Sequence, residues 1–414
     1  MKKFLAIMIC VLMALALVAC NNGTPADKPA GDGSKDLKIG VILVGDENEG
    51  YTFAHIEGFK KAMENCGISE DQVTWKYVIP EDATCYDTAC DLAEKGCNII
   101  FSNSYGHQSH MVQAAEEYPN VVFVPATGDT ANVCGLKNVV NLFPQTYQSR
   151  YVSGVVAGMK LKELMDAGTV TDPYVGYVGA YPYAEVVSGF TAFFLGIRSI
   201  VPDAHMDVMY TSSWFDLNKE SETAKALMAK GCVIIGQHAD STGAPSAVEA
   251  ALNEGTVAYS VGYNIDMLKV APHAALTSAQ NNWSVLYTNI LKDFIDGKEL
   301  AHDYTAGYES DAVMISELGS SCAEGTAEKV AEVIESIKNG SFHVVDINTF
   351  TVDGKKLDSY EFDFSTMNSD FTAVQYQGEV INVVSDGYFH ESEYRSAPYF
   401  GMIIDGITSL TSTD

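Results

Sequence analysis

The stretch from Leu37 to Met63 constrains the fold more than any other part of the chain. It opens with apolar Ile39, Val41, Ile42, Leu43 and Val44, interrupted only by Gly40. A short continuous apolar run reads as a strand buried on both faces, as in a parallel sheet. The acidic segment Gly45-Asp46-Glu47-Asn48-Glu49-Gly50 follows, and then Ile56, Phe59, Lys60 and Met63 recur at helical spacing. The loop between them therefore lies at the carboxyl end of a strand, where open α/β sheets bind ligands.

The same unit recurs along the chain. Strands are expected at Val73–Val78, Asn98–Phe101, Val121–Val124 and Val139–Leu142, with helices over Cys85–Lys95 and Ser109–Glu117. A long helix over Gln145–Met165 carries Ser153, Gly154, Ala157 and Gly158, small residues that permit close packing. After a turn-rich break at Gly168–Pro173 the rhythm restarts. Strands at Tyr174–Val178, Met206–Tyr210, Val233–Ile235 and Val257–Val261 alternate with helices at Ala184–Ile200, Asn218–Lys230 and Pro245–Asn253. Alternation of this kind means parallel sheets covered by helices on both faces. Two such series imply two lobes, and the crevice between them is a natural small-molecule site.

The first residues belong to a different kind of segment. Lys2 and Lys3 precede an apolar run from Phe4 to Val18, and Leu17-Val18-Ala19-Cys20 resembles a bacterial lipobox. Residues 1–19 read as a lipoprotein signal peptide, with Cys20 the lipid-bearing first residue of the mature chain. Residues 20–36, rich in Gly, Pro, Asp and Lys, read as a flexible tether. The formal charge of −29 argues against a phosphate-binding surface and hence against nucleic acid. Beyond Cys20 the mature body keeps Cys66, Cys85, Cys90, Cys97, Cys134, Cys232 and Cys322, an odd number with no zinc spacing. Free buried thiols are expected, with room for one disulfide among Cys85, Cys90 and Cys97. The 378 residues from Leu37 onward suit two domains.

Several motifs then stand in order: Phe101-Ser102-Asn103-Ser104-Tyr105-Gly106, Ser213-Trp214-Phe215-Asp216, Gln237-His238-Ala239-Asp240-Ser241, Gly262-Tyr263-Asn264-Ile265-Asp266-Met267 and Leu276-Thr277-Ser278. Together they resemble the basic membrane protein family, lipoprotein substrate-binding components of ABC transporters that are similar to the purine nucleoside receptor. The resemblance covers roughly Leu37 to Gly354. It implies a type I periplasmic-binding-protein fold, two doubly wound parallel-sheet lobes joined by a hinge. Lobe 1 would comprise 37–145 plus 277–300, and lobe 2 would comprise 146–276 plus 301–355. The chain would return to the first lobe near Thr277, and 356–414 would form a C-terminal extension with added β structure. The resemblance further implies a non-enzyme that works with a separate permease and ATPase and faces outward on a lipid anchor.

Each candidate ligand residue lies just after an expected strand: Asp46, Tyr51, Phe53, Tyr105, Trp214, Asp240, Tyr263 and Asp266. Aromatic faces stack on a flat heterocycle, and a carboxylate accepts hydrogen bonds from ring or exocyclic N–H groups. A purine nucleoside or nucleobase fits that set; a sugar or riboflavin on the same fold is the alternative. Asp266 reads as readily as a helix cap, whereas Asp240 sits four residues early for capping the helix that begins near Pro245. Trp283 reads as packing between the lobes. Asp46, Glu47 and Glu49 read as a solvated acidic loop, or as the acids of an exported nucleoside hydrolase. His107 and His110 lie three apart with no third metal ligand at a recognisable distance. No cofactor is called for, and a sensor lipoprotein remains a third functional class.

Overall fold

A computed structural model describes residues 37–410 apart from Ser369 and Phe371. The signal peptide, the tether and Cys20 lie outside the described residues.

The first half is built from β1 (Ile39–Ile42), α1 (Gly50–Cys66), β2 (Val73–Lys76), α2 (Ala83–Glu94), β3 (Ile99–Ser102), α3 (Gln108–Glu117) and β4 (Val122–Pro125). Its four strands are parallel, in the order β2-β1-β3-β4. Glu49 starts α1 by accepting a hydrogen bond from the Thr52 amide, and Gly67 ends it in a left-handed conformation at φ 67°. The strands are apolar on both faces because each face carries its own core. Ile39, Phe59, Phe101 and Trp283 fill one side, and Ile42, Leu92, Ile100 and Met111 fill the other.

The second half follows β5 (Asn141–Pro144) and α4 (Thr146–Asp166). It contains β6 (Tyr174–Gly179), α5 (Ala184–Arg198), β7 (His205–Tyr210), α6 (Leu217–Ala229), β8 (Ile234–His238), α7 (Gly243–Asn253), β9 (Tyr259–Tyr263) and β10 (Ala275–Asn281). After α8 (Trp283–Ile295) and β11 (Asp303–Ala306), β12 (Val313–Ile315) returns to the same sheet. The seven-stranded order is β12-β10-β9-β8-β6-β7-β19, where β19 is Ile407–Leu410. Helices α4 and α5 pack closely because of their glycines. A Cβ on Gly154 would stand 2.0 Å from the Phe193 carbonyl oxygen, and one on Gly196 would stand 2.2 Å from that of Tyr151.

Two boundaries differ from expectation. Thr277 lies within β10, in the large sheet, so the chain crosses back only after Asn281. Conversely, β11 pairs in parallel with β5 of the first half, so the start of 301–355 belongs there. The crossing segments bond to one another: Gln145 donates to the Ala306 carbonyl at 2.8 Å, and Thr146 donates to Asn281 at 2.8 Å. They form a hinge of three crossings.

The C-terminal segment is no loose appendage. After α9 (Thr326–Lys338) come six short strands, β13 (Glu361–Asp363) through β18 (Tyr388–Phe389). Phe364, Val383, Phe389, Tyr399, Phe400 and Ile404 are buried in the same core as α4 and α5, and β19 extends the sheet beside β7. All seven described cysteines are free thiols, and no described helix is long and apolar enough to cross a membrane.

Candidate functional site

Strand order explains where a ligand site must lie. In the first sheet β2 and β3 flank β1 on opposite sides; in the second, β7 and β8 flank β6. Such switch points open a crevice outside the carboxyl ends of the strands. The loops after β1, β3, β6, β7 and β8 converge there on one cavity of about 370 Å³, a size that suits a small organic ligand.

Six of the eight candidate residues line this cavity: Asp46, Tyr51, Tyr105, Trp214, Asp240 and Tyr263. From the first half, Asp46 holds its own loop by accepting hydrogen bonds from the amide and side chain of Asn48, both at 2.9 Å. Tyr51 donates its hydroxyl to the Asn103 carbonyl. Tyr105 donates to Asp129 at 3.3 Å. From the second half, the Trp214 carbonyl accepts the Asp240 amide at 2.8 Å, which ties the ring's loop to the carboxyl's loop. The Trp214 ring stands edge-on to Tyr181 at 5.3 Å. Asp240 is 7% exposed, and its carboxyl accepts Nδ2 of Asn264 at 2.6 Å. Asn264 adopts φ 63°, a left-handed conformation that asparagine tolerates.

The other two candidates stand elsewhere. Phe53 is 40% exposed on the opposite side of α1 and faces a separate outer groove. It misses the crevice because Tyr51, two residues earlier, occupies the inward helical position. Asp266 lines that same groove and caps the short turn Met267–Lys269 through the Leu268 amide at 2.9 Å. Trp283 does not pack between the halves. It lies in the first-half core, stacked on His55 at 3.9 Å, where Gly58 allows α1 to approach α8. Asp240 caps no helix. His107 is buried, with Nε2 2.9 Å from the Ile79 carbonyl oxygen.

The sequence reading missed Glu185 and His238. Glu185, in the first turn of α5, and His238, at the end of β8, both line the cavity and approach each other at 3.4 Å. Glu185 follows β6 as Asp240 follows β8, so the strand-end rule would have found it. Arg150 was also missed, because it sits on α4 and resembles a helix-surface residue in sequence. It is buried beneath the floor, 3.6 Å over the Tyr263 ring, and donates to the Gln237 carbonyl at 2.7 Å. Its Nε and Nη2 have no hydrogen-bond partner among the described residues.

Burial dominates the electrostatics. It drives the Asp240 carboxyl well above the ordinary carboxylate range, reinforced by the charges of Glu49, Glu220 and Glu185. Burial likewise raises Glu49 and pushes Glu185 up to about 7. His238 is held well below its usual value by burial and by the neighbouring Arg150 charge. A cavity with buried carboxyls around aromatic rings rewards a flat ligand edged with N–H donors.

Known proteins resemble the chain in sequence and in fold. A family model described as an ABC transporter substrate-binding protein, PnrA-like, matches residues 37–348. A purine-binding protein of Brucella abortus is 32% identical over 80% of this chain and 88% of its own. A putative ABC transporter glucose-binding protein of Haloferax volcanii is 30% identical over 80% of this chain and 78% of its own. An ABC transporter solute-binding protein from Aeropyrum pernix superposes with a TM-score of 0.64 at 15% identity, over 74% of this chain and 92% of that one. That likeness concerns the fold, which is the type I periplasmic-binding-protein architecture expected from the sequence. The chain belongs to the PnrA-like family of ABC transporter substrate-binding proteins.

Proposed function

We propose that this substrate-binding protein captures a purine nucleobase or nucleoside in the crevice and delivers it to a separate permease and ATPase. One observation carries the reading: Tyr105 and Trp214 come from opposite halves and line one cavity with the buried carboxyl of Asp240. A purine between the rings gains about 1–3 kcal/mol per stacked face. Its ring and exocyclic N–H groups supply the donors that Asp240 and Glu185 need on desolvation. The Brucella relative's name supports the same ligand class. Opening and reclosing of the halves about the hinge would admit and release the ligand.

A sugar is the second reading, supported by the Haloferax relative's name and by the affinity of aromatic and carboxylate sites for pyranoses. Denaturing the freshly purified protein and weighing the released small molecule separates the two. A purine mass is expected; a hexose mass would replace the first reading with the second. We further infer anchoring by lipid at Cys20. Cys20→Ser should leave the precursor unprocessed or shed it from membranes, and normal processing with an unchanged membrane fraction would refute the anchor.

A further inference from the structure

Residues beyond the matched family region reach back across the crevice. The segment from Glu391 to Phe400 is fixed to the second half. The Glu391 carboxyl accepts Ser188 of α5 at 2.6 Å, and its other oxygen accepts the amides of Tyr399 and Phe400 at 3.3 and 3.1 Å. Arg395 leaves this anchored stretch, supported by the rings of Phe362, Phe364 and Tyr399 at 5.4 to 5.9 Å. Its Nη1 meets Oδ2 of Asp129, in the first half, at 3.2 Å, with only 10% and 11% of the two side chains exposed. The next residue repeats the crossing. The Ser396 amide donates to Oδ2 of Asp303, at the start of β11, at 2.7 Å.

Asp129 is no isolated acceptor. The oxygen that meets Arg395 also accepts the Tyr105 hydroxyl, and its partner oxygen accepts Gln108 at 2.9 Å. Arg395 therefore touches, through one carboxylate, the ring that forms the first-half wall of the cavity. A contact made between the halves only when they are closed adds its free energy to the closed state alone, and so lengthens the residence of whatever is enclosed.

We propose that Arg395 and Ser396 form a clasp that holds the two halves shut and positions Tyr105 against the ligand. This rests on the crevice being the ligand site. Arg395 is a positioning residue, acting through Asp129. The pair is partly shielded from water, so separating the halves strands both charges until solvent reaches them. Lysine keeps the charge but loses the planar fork that lies among the three rings.

The test compares Arg395→Ala and Arg395→Lys with the unaltered protein, using adenine as probe in stopped-flow fluorescence and small-angle scattering without ligand. Arg395→Ala should release adenine at least tenfold faster with an association rate within about twofold, and Arg395→Lys should recover part of the loss. The ligand-free variant should scatter as a more open particle. Where the unaltered protein binds no adenine, the scattering comparison alone decides the clasp. Asp129→Asn provides the same readouts should Arg395→Ala not fold. Unchanged release and superimposable scattering in folded variants would overturn the clasp.

Discussion

The two walls of the crevice are built to different standards. In the second-half wall Asp240 and Tyr263 are buried and internally bonded: Asp240 is held by Asn264 and by the Trp214 carbonyl, and Tyr263 lies under Arg150. The first-half wall is made of half-buried loops. Asp46 satisfies itself on Asn48, and Tyr105 leans on Asp129, itself held by the distant Arg395. Pre-organised groups lose little freedom when a ligand arrives, whereas mobile walls must be ordered. On this account the second half recognises and the first half encloses.

Four outcomes break or sharpen that division. The largest concerns Asp240, whose removal would leave ligand N–H groups and Asn264 without an acceptor. Asp240→Ala should cost about 2–3 kcal/mol of purine affinity by calorimetry. A cost below that of any first-wall substitution would reverse the assignment of roles.

Next is stacking. Trp214→Ala should weaken purine binding by about 1–3 kcal/mol, with Tyr105→Ala at the lower end of that range. Sugar binding gained or unchanged in Trp214→Ala would argue that the ring serves the loop rather than the ligand.

The third outcome is a pH dependence of the ligand-free protein. Burial raises the Glu185 carboxyl from 4.5 to about 7, so folding favours its protonated form. That contribution is fully present below pH 4.5 and is lost as pH rises towards 7. The melting temperature therefore falls, as far as this group contributes, between about pH 4.5 and pH 7. Glu185→Gln should flatten the slope in a differential scan, and an identical slope in the two proteins would place the pH response elsewhere.

The smallest effect belongs to the residues that the fold turned away. Phe53→Ala and Asp266→Asn should each leave affinity within about 0.5 kcal/mol, as for surface changes away from a site. A larger loss would bring the outer groove into the binding reaction.

The same contrast explains what could be read in the chain. Strands such as Ile39–Ile42 and Ile99–Ser102 declare themselves because burial on both faces demands unbroken apolar runs. Loop residues after them, Tyr105, Trp214 and Asp240, follow from topology alone. Helical phase did not: Tyr51 and Phe53 are two residues apart, about 200° around α1, and only the first points inward. The crossing after Asn281 was placed too early, near Thr277, because nothing in the mixed polar and apolar run Ala275–Asn281 marks where the strand ends. Arg395 was invisible for a further reason. Its partner Asp129 lies 266 residues away, and no periodicity records a contact between distant loops.

The most direct test of the account is a thermal-shift titration of unfolded, dialysed and refolded protein with adenine, adenosine, guanosine, inosine, glucose, ribose and riboflavin. A ligand at 100 times its dissociation constant stabilises the fold by about 2.7 kcal/mol, enough to raise the melting temperature measurably. The account predicts a clear rise with at least one purine and none with the sugars or riboflavin. A silent purine series beside a clear rise with glucose, ribose or riboflavin would contradict it.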